Sequence, residues 1–278
     1  MMTRKRLSFR PQLEALEDRD VPSTLTVTNN LGFGAGSLRD TIAAAQSGDT
    51  IVFDKSLNGQ TIDLTTNAPP DGDYSQLVID KNLDIEGPGA GKLAISASRI
   101  TRDFEVLAGV QATIAGLTIR YGSGLSSTPV SGGLLDMYGA EDGEGGAILN
   151  HGSLTLQNCV VADSWAATPV AAFGGGIYNA GTMTLGGCTV SGNVAGSAAS
   201  FSGAGGGLYN AGTMTLSSCT VTGNSAGEQG GGIYNAQNAY LTLLYSTVTD
   251  NTAPDGADLF NAGKLTKSHS TIGTPIGH

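Results

Sequence analysis

The chain has 278 residues, of which 42 are glycine, 40% are hydrophobic and 14% are charged; this is the composition of an ordered chain, and an all-β protein of this size fits a single domain. No apolar run reaches the roughly 18 residues of a membrane-spanning helix. The formal net charge is −10, and from Tyr121 to Gly263 nine carboxylates stand without a single Lys or Arg, a surface that repels nucleic-acid phosphates and polyuronates alike.

Residues 1–23 form a tail with five basic residues, Arg4, Lys5, Arg6, Arg10 and Arg19, but without the apolar core of a secretory signal. Within it, "LEALEDRDVPS" (Leu13 to Ser23) fits the pattern L-E-x-L-E-x-R-x-x-P-S. That segment resembles the start of many large bacterial surface proteins, planctomycete ones especially, and the resemblance implies export to the cell surface or the medium.

Residues 24–49 read as an N-terminal cap. Ser37 can cap a helix over about 37–46, with Asp40 in its first turn and Leu38, Ile42 and Ala45 on its apolar face, before Gly48 and Asp49 end it. A helix placed there covers the open apolar end of a stack. From Thr50 onward, short β-branched runs such as "TIVF", "TIDL", "LVID", "LAIS" and "ATIAGLTIR" alternate with Gly, Asn and Asp, the pattern of strands and turns.

The second half repeats itself. "GGIYNAGTMTLGGCTVSGNVA" from Gly175 and "GGLYNAGTMTLSSCTVTGNSA" from Gly206 agree at sixteen of twenty-one positions, and the Asn closing each unit falls at Asn150, Asn179, Asn210, Asn235 and Asn261, in steps of 29, 31, 25 and 26. Within a unit "MTL" and "CTV" alternate apolar and polar residues with a period of two. Identical units in sequence pair in parallel with the next copy, and parallel pairing without crossover helices requires coiling.

The succession "GSLRDTIAAAQSGDTIVF", "LVIDKNLDIEGPG", "FEVLAGVQATIAGLTIRYG" and the repeated "GGGIYNAGTMTL" with "CTVSGN" resembles the bacterial right-handed parallel β-helix repeat proteins, relatives of polymorphic outer-membrane proteins, over about residues 24–278. The Cys often found before "SLR" is missing here. The resemblance implies an all-β, right-handed, single-chain solenoid outside the cell, a family in which most members have no demonstrated chemistry. Residues 50–278 then give about eight or nine rungs, most regular over 145–278, stacked about 4.8 Å apart.

Stacking turns each repeat position into a column. Cys159, Cys188 and Cys219 share one position, nine residues after the Asn, with Ser246 and Ser270 at its later equivalents. An odd number of thiols at one repeat position is neither a disulfide framework nor a clustered metal site, and reads as a small interior slot, with a redox or metal role as the alternative. Asn150, Asn179, Asn210, Asn235 and Asn261 form one amide column; Asn193, Asn224 and Asn251 form another, with Ser164 at its start. Stacked amides can donate to one neighbour and accept from the other. Tyr178, Tyr209, Tyr234 and Phe260 make an aromatic column that can grip a sugar chain or stack on itself; Phe260, without a hydroxyl, favours packing.

Length variation gathers between each turn Asn and the following Gly-Gly, so these loops leave one corner of the coil side by side. Loops on a rigid scaffold collect function, and this edge is the candidate binding site, with Trp165, Phe173 and Phe201 on it. Its longest loop carries Asp136, Glu141, Asp142 and Glu144 among glycines, a set suited to a hard cation such as Ca²⁺ or simply to a solvated acidic loop.

Glycoside hydrolysis needs two carboxylates across a sugar. The outward strand positions of the repeats carry Thr, Ser or Gly, and the acids there are single and in turns. Asp80, Asp84, Glu86, Asp103 and Glu105 lie closer together, but in ordinary scaffold; His151, His269 and His278 have no triad partners in their motifs. The reading is a non-catalytic secreted or cell-surface β-helix with a structural, adhesive or glycan-binding role. The competing reading is a polysaccharide lyase or glycoside hydrolase on the same scaffold. The last rung, ending in "TIGTPIGH", carries no capping helix, from which either a truncated relative of a longer protein or end-to-end self-association is expected.

Overall fold

A computed structural model describes residues 22–68, 74–125, 143–166, 172–196 and 202–273. Among these, three parallel sheets of nine, eight and seven strands run the length of the molecule, and the chain visits them in a fixed cyclic order. The repeat beginning at Ile177–Asn179 in the seven-stranded sheet continues through Thr182–Gly186 in the nine-stranded sheet and Thr189–Ser191 in the eight-stranded one. The next copy lies over it in register, Tyr178 against Tyr209, Met183 against Met214 and Val190 against Val221. This is a right-handed parallel β-helix.

The period of two decides which side chains meet. Each sheet sends one continuous apolar column inward: Ile85, Ile114, Leu156, Leu185, Leu216 and Leu243 from the first sheet, Ile95, Ile119, Val161, Val190, Val221 and Val248 from the second, Phe104, Ile148, Ile177, Leu208 and Ile233 from the third, all 0% exposed. Each such side chain contributes about 1.5–3 kcal/mol by leaving water. The alternate positions, Thr155, Thr184, Thr215 and Thr242 in the first sheet, face outward. Between the first and second sheets the corner residue is left-handed in successive turns: Asn158, Gly187, Ser218, Tyr245 and His269 have φ between 49° and 62°. Tyr245 and His269, adjacent in that column, stack with ring centroids 4.9 Å apart.

The helix α1 spans Leu38–Ala44, with Ser37 as N-cap accepting from the Asp40 N–H at 3.2 Å. It stops two residues before the Gln46 boundary read from sequence, because Ala45 is already extended while its N–H still bonds to Thr41 O. Leu38 and Ile42 are buried against the core. A strand, Thr24–Val27, adds to the first sheet beside Asp49–Phe53, so the cap segment contributes a paired edge as well as a helix. Asp49 binds the two together by accepting from Ser23 N at 2.7 Å and Gln46 N at 2.8 Å.

At the other end, Lys264–Ser268 pairs with Tyr240–Leu244 in a register that sets Lys267 against Leu243. A lysine thus occupies the last position of the inward leucine column, and it is exposed there.

Candidate functional site

The variable loops begin and end as strands of their own. Trp165–Ala166, Val194–Ala195 and Ser225–Ala226 form a three-stranded parallel ribbon, continued by a bridge from Ser225 to Thr252; Ala172–Phe173 and Gly203–Ala204 form a second, continued by bridges to Glu144, Gln229 and Asp255. Between the ribbons Ala166, Ala172, Ala195 and Ala226 make a small core separate from the main one. The result is a ridge along one corner of the coil, its two flanks facing different ways. Alternation assigns the flanks: with Ala166 and Ala172 inside, Trp165 and Phe173 point outward on opposite sides.

On the Trp165 side, the ridge and the turn after the eight-stranded sheet enclose an open groove of about 750 Å³, lined among others by Arg99, Asp163, Trp165, Val194, Ser225 and Thr252. Trp165 is 40% exposed, a large ring left in solvent because its neighbour Ser164 is fixed in the interior. Small residues, Gly192, Gly196, Ala226, Gly227 and Ala253, make up much of the groove's lining. From Trp165 through Val194 and Ser225 to Thr252 it crosses three strand spacings, about 14 Å. At the Trp165 end, the Arg99 and Arg120 guanidinium groups lie over the Tyr121 ring at 5.3 and 5.1 Å. Asp163, in a left-handed turn with φ 53°, is the carboxylate among the groove's described lining.

Phe173 belongs to the other flank. It packs on Tyr209 at 5.0 Å, and Tyr178, Tyr209, Tyr234 and Phe260 stack face to face at 4.8–5.0 Å with interplanar angles of 6–9°. Burial pushes the Tyr209 hydroxyl up to about 12, helped by Tyr234 and Glu144. The aromatic residues read together from sequence are therefore split between two surfaces. Phe201, Asp136, Glu141 and Asp142 lie outside the described residues. Glu144 is described, its backbone bridged to Phe173 and its carbonyl accepting from Arg102. Among the described residues no three His, Cys, Asp or Glu side chains converge as a metal site.

The interior columns are hydrogen-bonded chains. Asn150 Nδ2 donates to Asn179 Oδ1 at 2.7 Å, Asn179 to Asn210 and Asn210 to Asn235 at 2.8 Å, and Asn235 to Asn261 at 2.7 Å. In the second chain Ser164 N donates to Asn193 Oδ1 at 3.0 Å, Asn193 Nδ2 to Asn224 at 3.0 Å and Asn224 Nδ2 to Asn251 at 2.9 Å. Cys159, Cys188 and Cys219 are free thiols, all buried. Cys188 N donates to Cys219 Sγ, Cys219 N to Ser246 Oγ and Ser246 N to Ser270 Oγ, so sulfur and oxygen fill one role. The hydrogen bond with Cys159 pushes the Cys188 thiol up to about 11, and its bond with Cys188 together with burial drives Cys219 up as well.

The acids noted in the first rungs disperse. Asp80 pairs with Lys81 at 3.3 Å, Glu105 accepts from Gln76, and Asp103 is buried. Asp84 and Glu86 both face outward from Leu83–Glu86, and Asp84 borders a second, polar hollow of about 400 Å³ with Asn82, Gln111, Thr113, Ser153 and Thr155. Sequence reasoning passed over Arg99 as a groove residue, because its place depends on consecutive left-handed residues, Ser98 and Arg99 with φ 52° and 61°, that no local pattern announces.

A family model described as right handed beta helix region matches residues 106–273, more than half of the chain. No curated protein and no solved structure gives a match.

Proposed function

The chain belongs to the right-handed β-helix family, and from that premise we propose that it is a non-catalytic module of the cell surface or the extracellular medium that binds a neutral glycan chain along the Trp165 groove. One observation carries the reading: an exposed indole stands at one end of a groove lined largely by small residues and three strand spacings long. A sugar ring presents an apolar face that fits an indole, and a polymer fits a channel that repeats at strand spacing. Asp163 and Arg99 supply a hydroxyl acceptor and a donor beside the ring. The carboxylate-rich surface beyond Tyr121 favours neutral over acidic chains. The resemblance of Leu13 to Ser23 to the start of exported surface proteins supports a location outside the cell.

A glycan array, followed by titration of the best hit, tests this. Trp165→Ala is expected to weaken binding about tenfold. Unchanged affinity in that variant, or an array without hits, defeats the proposal. EDTA in a parallel array reports on the calcium reading of Asp136, Glu141, Asp142 and Glu144.

A second reading has its own observation. Asp84 and Glu86 are two residues apart on one outward strand face, their Cα atoms about 6.6 Å apart by strand rise, with Asp84 on the rim of the polar hollow. That separation lies in the range of inverting glycosidases. Release of shortened products from a bound glycan, abolished in Asp84→Asn, would establish hydrolysis in place of binding alone.

A further inference from the structure

The amide column of Asn193, Asn224 and Asn251 shares its space with the residue just before each strand of the seven-stranded sheet. In the middle turns that residue is Gly176, Gly207 or Gly232, and a Cβ at any of them would come within 2.7–3.0 Å of the amide of Asn193, Asn224 or Asn251 in the same turn. One turn earlier the pair is Ala147 and Ser164, with the bulk divided between them. In the turn before that the arrangement reverses. Gly122 holds the amide position, and Asp103 precedes the strand Phe104–Val106, its Oδ2 only 2.7 Å from where a Gly122 Cβ would stand. Asp103 therefore fills the slot that an asparagine fills further along.

An amide in this slot does two things: its oxygen accepts from the neighbouring turn, and its nitrogen donates to a strand carbonyl, as Asn193, Asn224 and Asn251 Nδ2 donate to Val161, Val190 and Val221 O at 3.0 Å. A carboxylate cannot donate. A carboxylic acid can. Both Asp103 carboxyl oxygens are fully buried with no hydrogen-bond partner, and so is Ser123 Oγ, one residue from Gly122.

We propose that Asp103 is held as the neutral carboxylic acid at neutral pH, its O–H replacing the missing ladder N–H, so that a proton taken up from solvent locks this turn of the coil. Burial is the chief influence on the group and raises its pKa well above the carboxylate range, while the Ala97 N–H, facing it without reaching hydrogen-bond geometry, favours the anion weakly. The charged groups of this turn have partners of their own, although Arg120 Nε is itself buried without one. Arg102 donates to Gln76 Oε1 and to the Gly124, Glu144 and Gly145 carbonyls; Arg120 donates to Thr61 and, with Arg99, lies over Tyr121; Glu105 accepts from Gln76; Glu144 bears on Tyr209. The same turn carries Arg99 to the groove and Arg102 to the Gly124 and Glu144 carbonyls, so ionisation of Asp103 acts on the turn that holds both.

Because the folded-state pKa is raised, the stabilisation is complete below the ordinary aspartate value of 3.8 and is lost as pH climbs toward the raised one. The experiment compares thermal unfolding of the wild type and Asp103→Asn from pH 4 to pH 8.5. The Asn variant carries the ladder N–H permanently, so its melting temperature should match the wild type near pH 4 and exceed it by about 4 °C at pH 8. A pH-independent difference, or a variant less stable throughout, overturns the proposal. If the variant does not fold, the ¹³Cγ spectrum of the aspartates in the wild type decides: a carboxyl still protonated at pH 7 supports the assignment, and none protonated refutes it.

Discussion

Asn251 Nδ2 donates to Asp258 Oδ1 at 2.9 Å, and the Asn251 backbone N–H donates to the same oxygen at 3.0 Å. Asp258 stands before the strand Leu259–Asn261, at the position held by Gly176, Gly207 and Gly232 in earlier turns. It gives the ladder from Ser164 a terminal acceptor where the repeat supplies no further asparagine among the described residues. Asp258→Ala leaves the buried Asn251 backbone N–H without its acceptor, while Nδ2 keeps Val221 O and Thr249 O, and should cost about 2 kcal/mol, whereas Asp258→Asn keeps the accepting oxygen and should cost about 1 kcal/mol. Urea midpoints at constant m-value measure both.

The ladder from Asn150 to Asn261 makes a sharper demand. Asn210 donates to Asn235 Oδ1 and Tyr240 O and accepts from Asn179 Nδ2 and Gly212 N. Asn210→Asp keeps the shape but turns an acceptor toward two acceptors, so it should destabilise by about 3 kcal/mol near neutral pH. The introduced carboxyl, buried and lacking a cation, has a raised folded-state pKa, and the loss should shrink as pH falls toward the unfolded value and protonation restores a donor. Denaturant titrations at pH 7 and pH 4 check the sign. A loss equal at both values would mean that the ladder tolerates the anion.

How much of this was legible in the sequence follows from which physical rule each feature obeys. The coil, its cyclic strand order and the Asn and Tyr columns are consequences of repetition, and a step such as Asn179 to Asn210 shows repetition directly. The split of Trp165 from Phe173 was not legible. It depends on which of Ala166 and Ala172 faces the small alanine core, and the segment between them has no repeat to fix its register. Nor was the exchange of bulk between Gly122 and Asp103, because the two positions are 19 residues apart in sequence and meet only when the turn closes.

The thiol column predicts inertness. All three thiols are buried, which is what shields them: the pKa values of Cys188 and Cys219 are raised, that of Cys159 is lowered chiefly by its hydrogen bond with Cys188, and each thiol donates to carbonyls of its own and the preceding turn, Cys159 to Gln157 and Ile114 O, Cys188 to Gly186 and Leu156 O, Cys219 to Ser217 and Leu185 O. A thiol-specific reagent should therefore label none of the three cysteines in the folded protein at pH 8 and all three in denaturant. Ser246 and Ser270 already perform the role, so Cys219→Ser should change stability by less than about 1.5 kcal/mol. Rapid labelling of the native protein would show that the column opens.

Asp49 sets the acid limit of the cap. The Gln46 and Ser23 N–H groups hold its carboxyl below the ordinary range. A depressed folded-state pKa gives stability that is present above the unfolded value near 3.8 and lost as pH falls through the depressed one. Amides of Thr24–Val27 and α1 should therefore exchange faster at pH 3 than at pH 6 after correction for intrinsic rates, ahead of the central rungs. Asp49→Asn should remove that difference.

Lys267 bears on association through the last described rung. In the first sheet Leu156, Leu185, Leu216 and Leu243 stack inward in register, and Lys267 takes the fifth place. A further strand laid on Lys264–Ser268, from a second molecule, would bury that ammonium over leucine without an acid to meet it, since the matching outward and inward positions of the rung carry Thr266 and Leu265. Inward-facing charge at an edge opposes strand addition, while the 37% exposure of Leu265 favours it. Lys267→Leu removes the opposing term and completes the leucine column, so it should move the protein toward dimers by light scattering at concentrations where the wild type is less associated. Equal association of the two proteins would place any contact away from this end.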